Sequence, residues 1–463
     1  MDFTLAFFPF LAAFFLFAFG GFGLVSRWER ERKAMVRSFL IAAAGFTLSL
    51  GALLLPDPLQ TALMALLLCI LAASLIVYLW PIGEVPKTVS VPTKRHDERE
   101  IMFARARLEP GSPEYEKYYK LHPNQKVEDD KTRAKPGLLS PHAQFTDPYH
   151  IAAIQASFQF TETLRHAVDG PTAPERKSPS TQEMTAYVKS LATYYGALDV
   201  GITKLQPHHI YTHIGRGSGE YGAEIDLDHT HAIVFTVEMD FEMTRAAPYP
   251  PLTMESGKRY VHAAQIAVQL ASAIRNLGYP ARAHIDGNYR VIAPLVAQDA
   301  GLGEIGRMGL LMTKHLGPRV RIGAVTTTLD LETDAYTPDT ALIDFCRICQ
   351  KCAENCPSRA IPFGPREEID GALQWKINPD SCFRYWNVVG TDCGRCLSVC
   401  PFSHPNSFFH NLIRRGIRGS GAFRRFALRM DDFFYGKNPS SNNPAILFTP
   451  SDQLARVEER KSF

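Results

Sequence analysis

Three apolar runs at the start of the chain constrain it more than any other feature. Residues 3–25 (FTLAFFPFLAAFFLFAFGGFGLV) contain no charged side chain, and 38–55 (SFLIAAAGFTLSLGALLL) and 59–80 (LQTALMALLLCILAASLIVYLW) follow closely. A hydrocarbon layer offers no water to the backbone, so a crossing segment must satisfy its own N–H and C=O groups, as a helix does. Twenty-three residues make about 35 Å of helix, enough to cross. A cleaved signal peptide fits poorly, because no basic residue precedes the first run and two further runs follow it. Arg27 comes after that run, so a twin-arginine export signal is also missing. The alternative is a helical hairpin buried in a water-soluble domain.

Basic residues give the expected orientation. The first connection carries Arg27, Arg30, Arg32, Lys33 and Arg37, while Pro56-Asp57-Pro58 carries none. After Trp80 come Lys87, Lys94, Arg95, Arg99, Arg105 and Arg107. The positive-inside rule then makes residues 1–82 a multi-pass anchor in the inner (cytoplasmic) membrane, N-terminus outside and the remainder cytoplasmic. Trp28 and Trp80 stand where interfacial aromatics belong.

The chain's 463 residues are too many for one core. With 46% hydrophobic residues and 50 basic against 47 acidic, neither disorder nor a global nucleic-acid signature is indicated. Residues 83–145, typified by PGSPEYEKYYKLHP, read as a tether and wrapping segment. From 146 to 335 the pattern turns to αβ alternation. In 181–198 a helix would place Met184, Tyr187, Val188, Leu191, Tyr194 and Tyr195 on one face. AIVFTVEM (232–239) and RVRIGAVTTTL (319–329) read as strands, and Val261–Leu277 as a helix closed by Gly278 and Pro280. A tail, 406–463, carries Arg414, Arg415, Arg418, Arg424, Arg425 and Arg429. It reads as a solvated helical face, with contact to anionic lipid as the alternative.

Eight of the nine cysteines fall between 346 and 400. Cys346-x2-Cys349-x2-Cys352-x3-Cys356-Pro357 is the bacterial ferredoxin run, and a second version has Cys382, then Cys393-x2-Cys396-x3-Cys400-Pro401. Thiolates bind iron strongly, and x2 spacing lets one loop offer three sulfurs to a cubane. In two-cluster domains the last cysteine of each run serves the other cluster. That rule assigns Cys346, Cys349, Cys352 and Cys400 to one [4Fe–4S] cluster and Cys356, Cys382, Cys393 and Cys396 to the second. The ten residues between Cys382 and Cys393 depart from plain ferredoxin spacing. Zinc and disulfides are the competing readings, the latter disfavoured in a cytoplasm. Residues 336–405 thus read as a ferredoxin-like domain, and Cys69 as a membrane-packing residue. Clusters relay electrons without reacting with a substrate themselves.

Several stretches in order resemble the reductive dehalogenases, the corrinoid and iron–sulfur oxidoreductases that replace halogen by hydrogen. They are AIVFTVEMDFEMTRAAP (232–248), Arg259-Tyr260 opening the helix to IRNLGYPA (274–281), AGLGEIGRMGLLMTKHLGPRVRIGAV (300–325), both cysteine runs, and DDFFYGKNP (431–439). The likeness spans roughly 140–440. It implies an α/β, nitroreductase-like core over 146–335 that binds cobalamin with its lower base detached from cobalt. No Asp-x-His-x-x-Gly lower-ligand motif occurs, which is compatible. The turn Gly301-Leu302-Gly303-Glu304 could bring backbone close to a large ligand or be an ordinary loop.

Three positions match the family's active-site polar groups: Tyr260 the proton donor, Arg321 its basic neighbour, and Asn288 (in AHIDGN) a position that varies across the family. The implied reaction takes electrons through both clusters to cob(I)alamin and a proton from tyrosine, whose anion a guanidinium would stabilise. The histidines at 208, 209, 229, 231, 262 and 284 match no zinc spacing and read as structural or pocket-lining, His262 being nearest Tyr260 in sequence. Most respiratory members dock on a separate anchor protein, so this chain resembles a fusion of catalytic unit and anchor. Its expected partners are an organohalide, the bilayer and a quinol or soluble low-potential donor, with no nucleic acid. Two rivals remain: a membrane-bound iron–sulfur electron carrier without corrinoid, and an epoxyqueuosine reductase-like enzyme.

Overall fold

The computed structural model describes residues 3–79 and 92–441; Trp80, Lys87 and the end of the tail, 442–463, lie outside them. Two compact units form. The first gathers Met1–Pro86, Thr340–Cys349 and Pro405–Pro439, the second Lys87–Asp339, Gln350–His404 and Ser440–Phe463.

In the first unit the apolar runs become three helices: α1 (Phe3–Trp28), α2 (Arg32–Gly51) and α3 (Asp57–Leu79). α1, α2 with the 3-10 turn that continues it to Leu54, and α3 each supply a 23-residue stretch long and apolar enough to cross a membrane, with mean hydropathies of 2.1, 1.6 and 2.7. Outward-facing Phe10, Phe17, Leu48 and Leu71 are exposed, as lipid-facing side chains would be. The middle helix begins six residues before the expected span, so Arg32, Lys33 and Arg37 sit on its first turns rather than in a loop. Small residues let α1 and α2 approach: Gly45 lies against the Phe15 ring and Gly23 against Phe39.

The tail departs from the solvated face read in its sequence. Helices Phe408–Gly419 and Gly421–Phe434 fold into this unit with helix Thr340–Cys349. Arg414 and Arg424 are buried, and Arg424 Nε donates to Asp344 Oδ2 at 2.8 Å. His410 meets the buried Glu29 carboxylate at 3.1 Å, and Tyr78 OH donates to the Leu412 carbonyl. Asp344 lies 80 positions from Arg424, which is why local pattern does not reveal that pair. The same helix moves 340–349 out of the expected 336–405 domain.

The second unit is built on a four-stranded antiparallel sheet. In chain order the strands are β1 (Asp199–Lys204), β2 (His231–Glu238), β3 (Ala281–His284), β4 (Gly303–Ile305), β5 (Leu311–Thr313) and β6 (Val320–Thr327). The large sheet runs β1-β2-β6-β3, and β4–β5 is a separate hairpin. Strand β2 is buried on both faces, as its unbroken apolar run requires. Alternation sends Ile233, Phe235 and Val237 toward helices Thr181–Tyr194 and Pro250–Asn276, while Ala232 and Val234 meet helix Ala293–Asp299. Gly323, paired with Phe235, is a glycine because a Cβ there would stand 2.4 Å from that ring.

Three expectations change here. Helix Pro250–Asn276 starts eleven residues before Val261, since Pro250 and Pro251 occupy first-turn positions where no N–H is needed. Tyr260 is therefore mid-helix rather than at a helix start. Helix Thr181–Tyr194 opens with a Ser180–Glu183 capping box, and Met184, Val188, Leu191 and Tyr195 of the expected face pack on the core with Ala192, while Tyr187 and Tyr194 are exposed. Finally, the described part of 83–145 is folded: Leu108, Tyr115, Tyr118 and Tyr119 cluster, and buried Arg105 pairs with Asp129 at 3.1 Å.

Candidate active site

Helix Pro250–Asn276 turns Thr253, Ser256 and Tyr260 toward one side, at i, i+3 and i+7. Strand β6 brings Arg321 opposite them, its register fixed by pairing with Val237. The guanidinium carbon of Arg321 lies 5.2 Å from the Tyr260 ring centroid, over its face. Arg321 Nη2 donates to Ser256 Oγ at 2.6 Å and to Asp392 Oδ2 at 3.4 Å. Ser256 Oγ donates to the same carboxylate oxygen at 2.5 Å, and Thr253 Oγ1 to Asp392 Oδ1 at 2.8 Å. Arg321 Nε is buried without a hydrogen-bond partner among the described residues, which fits a polar or anionic ligand at this place.

Electrostatics sharpen the roles. Burial pushes the Tyr260 phenol above its ordinary value; Arg321 pulls it down, and Asp286 and Asp392 push it further up. The expected stabilisation by guanidinium is present but does not win. Burial also holds Tyr289 well above the usual phenol range, with Asp286 and Tyr260 adding to it. Arg321 is raised because Tyr260 and the nearby carboxylates outweigh its desolvation.

Asn288 is fully buried, yet its amide is engaged elsewhere. Its Oδ1 accepts from Arg282 Nη2 at 2.9 Å and from Ser218 Oγ at 3.2 Å, and its Nδ2 donates to Ser218 Oγ. No hydrogen bond joins it to Tyr260 or Arg321. Instead, the tight turn closed by the Ile285–Asn288 bridge, with Gly287 at φ +69°, carries Asp286 and Tyr289 into the electrostatic surroundings of the pair. Sequence reading missed Ser256, Asp286, Tyr289 and Asp392. Helical spacing from Tyr260 would have flagged Ser256, and adjacency to Cys393 would have flagged Asp392.

The remaining candidates find structural employment. Gly303 is backed by the Met312 carbonyl, where a Cβ would come within 2.3 Å, and Glu304 accepts from Tyr336 OH at 2.6 Å. That turn is closed by its own hairpin. His262 lies against Gly196, His284 and His229 bond to Thr326, and His209 meets Asp299 at 2.9 Å.

Among the cluster cysteines, Cys356, Cys382, Cys393 and Cys396 are electrostatic neighbours. Burial first, then mutual repulsion, pushes Cys382 up to about 11, Cys393 up to about 12 and Cys396 well above the ordinary thiol value. Thiols gathered this way hold a proton unless a metal takes its place, which is the donor set an iron–sulfur cluster needs. Cys393 and Gly394 take left-handed backbone (φ +54° and +56°), and Gly394 sits against Leu252 too closely for any side chain. Cys346 and Cys349 end helix Thr340–Cys349, in the first unit; Cys352 and Cys400 lie in the second.

Comparison with known proteins agrees with the resemblance. A family model described as a 4Fe-4S dicluster domain matches residues 345–404. The tetrachloroethene reductive dehalogenase of Sulfurospirillum multivorans is 30% identical over 299 residues, covering 57% of this chain and 59% of the relative. One from Desulfitobacterium hafniense is 35% identical over 196 residues, covering 39% and 34%. The solved catabolic reductive dehalogenase NpRdhA, in complex with 3-bromo-4-hydroxybenzoic acid, superposes with a TM-score of 0.62 at 23% identity, over 78% of this chain and 49% of that one. The chain spans three-fifths or less of the length of these relatives. It has the reductive dehalogenase fold, with a 4Fe-4S dicluster domain near the C-terminus and three membrane-length apolar helices near the N-terminus.

Proposed function

We propose that this chain is a membrane-anchored reductive dehalogenase that replaces halogen by hydrogen on an organohalide. The observation that carries the reading is the half-buried Tyr260–Arg321 pair, tied through Ser256 to Asp392, the residue immediately before Cys393. The net reaction consumes two electrons and one proton, breaks a carbon–halogen bond, forms a carbon–hydrogen bond and releases halide. Tyr260, kept protonated by burial, donates that proton to carbon from its hydroxyl. The Arg321 guanidinium over the ring stabilises the phenolate left behind more strongly than it does the neutral phenol. The unpartnered Arg321 Nε offers a place for departing halide. Asp286 and Tyr289 line the same surroundings, and Asn288 acts on them from the turn it closes.

Two [4Fe–4S] clusters would be held by Cys346, Cys349, Cys352 and Cys400, and by Cys356, Cys382, Cys393 and Cys396. A corrinoid is implied by the family resemblance; bound as cob(I)alamin it would supply a strongly reducing centre for the carbon–halogen bond. Within this reading the sheet unit is the nitroreductase-like, corrinoid-binding core. The anchor lies in the inner membrane with the N-terminus outside, and electrons come either from a quinol in the membrane or from a soluble low-potential carrier in the cytoplasm.

Cobalt and iron analysis of chain produced with cobalamin, combined with turnover of halogenated phenols, halogenated benzoates and chloroethenes, tests the proposal. Iron and sulfide without cobalt and without halide release would leave an anchored electron carrier. Turnover of epoxyqueuosine-containing tRNA instead would identify the tRNA-modifying rival.

A further inference from the structure

The two tail helices carry a surface that the proposed reaction does not use. Both are held at one end of the apolar bundle, where α1 ends, α2 begins and α3 ends. Phe22 of α1 packs against Phe409 and Phe434, Tyr78 of α3 meets Phe423 edge-on at 5.0 Å, and Arg37 of α2 lies 4.8 Å from the Phe433 ring centroid. Away from these contacts Phe408, Leu412, Ile413 and Phe426 are 75%, 45%, 40% and 49% exposed, and Phe433, beneath Arg37, is still 43% exposed. Arg415, Arg425 and Arg429 are exposed among them. On the second helix Arg425, Arg429 and Phe433 follow at four-residue steps, with Phe426 beside them. Asp431 and Asp432, in its last turn, are only partly exposed.

A water-facing helix does not keep five large apolar side chains exposed, and a protein-covered one does not set arginines between them. A helix lying in a membrane interface wants both: rings at the acyl boundary and guanidinium groups reaching the phosphates. The bundle end is also where α1 and α2 carry Arg27, Arg30, Arg32, Lys33 and Arg37, so the positive charge is continuous.

We infer that helices Phe408–Gly419 and Gly421–Phe434 form an interfacial face that rests on an anionic lipid surface at the end of the bundle where α1 and α3 finish. This rests on the anchor reading above, and the test separates the two. Full-length chain with its clusters loaded is placed in lipid discs, either all zwitterionic or containing anionic phosphatidylglycerol, and amide exchange is followed by mass spectrometry. Peptides from 408–434 should exchange about tenfold more slowly in the anionic discs. The triple variant R415Q/R425Q/R429Q should lose that difference while α1–α3 stay protected and turnover is unchanged. Equal exchange of 408–434 in both discs, with α1–α3 protected, would overturn the inference and leave the anchor standing. Unprotected α1–α3 would overturn the anchor itself. Slowing that appears only when a reduced ferredoxin is added would make the face a protein-docking site and also overturn the inference.

Discussion

Arg321 sits over the ring of Tyr260 while its Nη2 is tied to Ser256 four residues earlier on the same helix, at 2.6 Å. The cation is thus fixed at one end by the helix that carries the acid and covers that acid with its other face. Tyr260→Phe keeps the ring and its contact with Arg321 but removes the hydroxyl proton that Tyr260 would donate. Turnover should fall by about 10³-fold, within the usual range for a general acid, with the cluster absorbance and electron paramagnetic resonance signals unchanged. Retained turnover would dismiss Tyr260 as the donor.

The pH profile follows from the direction of the Tyr260 shift. As the proposed proton donor Tyr260 must be neutral, and burial raises its pKa above the ordinary phenol value despite Arg321. Ionisation of this group therefore cannot limit the rate in the neutral or mildly alkaline range; its loss belongs above pH 10. Removing the guanidinium with Arg321→Gln moves the pKa further up, because the largest lowering influence is gone. That keeps the acid protonated yet leaves its anion without a partner. The expected result is a lower rate across the whole profile with no new alkaline limb, measured as kcat against pH. A new limb near pH 8 in the wild type would contradict the burial argument.

How much of this was legible beforehand depended on the range of each interaction. The cysteine runs and apolar spans announce themselves through local spacing, and strand β2 through an unbroken run of apolar residues. Tyr260 and Arg321 came only from resemblance, since a tyrosine on a helix and an arginine on a strand have no local signature. Arg424 looked solvated because its partner, Asp344, lies 80 positions away. The start of helix Pro250–Asn276 was hidden by Pro250-Pro251, which reads as a breaker but is harmless in a first turn. Asn288 was placed beside the right turn, while its neighbours Asp286 and Tyr289 are the groups whose charge and dipole reach the pair.

Ser256 is the positioning residue that can be tested without disturbing a cluster ligand. Its hydroxyl accepts from Arg321 and donates to Asp392, whose direct contact with Arg321 is the longer one at 3.4 Å. Ser256→Ala removes both short bonds and frees the guanidinium to drift from the ring. About a tenfold fall in kcat with little change in KM is expected, because orientation rather than charge is lost. Ser256→Thr keeps the hydroxyl and should restore most of the rate. Equal loss in both variants would mean the site is merely crowded.

In the anchor, the tightest test is Gly45. A Cβ there would lie 2.3 Å from the Phe15 ring, which is stacked on Phe19 with centroids 5.8 Å apart, so the ring or the helix must shift. Gly45→Ala should therefore force α1 and α2 apart and cost about 1–3 kcal/mol, the usual range for overpacking. Because lipid gives no hydrophobic drive to bring helices together, close packing carries most of this contact. The measurement is thermal unfolding in detergent, reading the helical signal. Gly45→Ala combined with Phe15→Leu, which removes the ring, should recover most of the loss, and the two changes should be strongly non-additive. Additive effects would show that the two helices do not meet at Gly45 and Phe15.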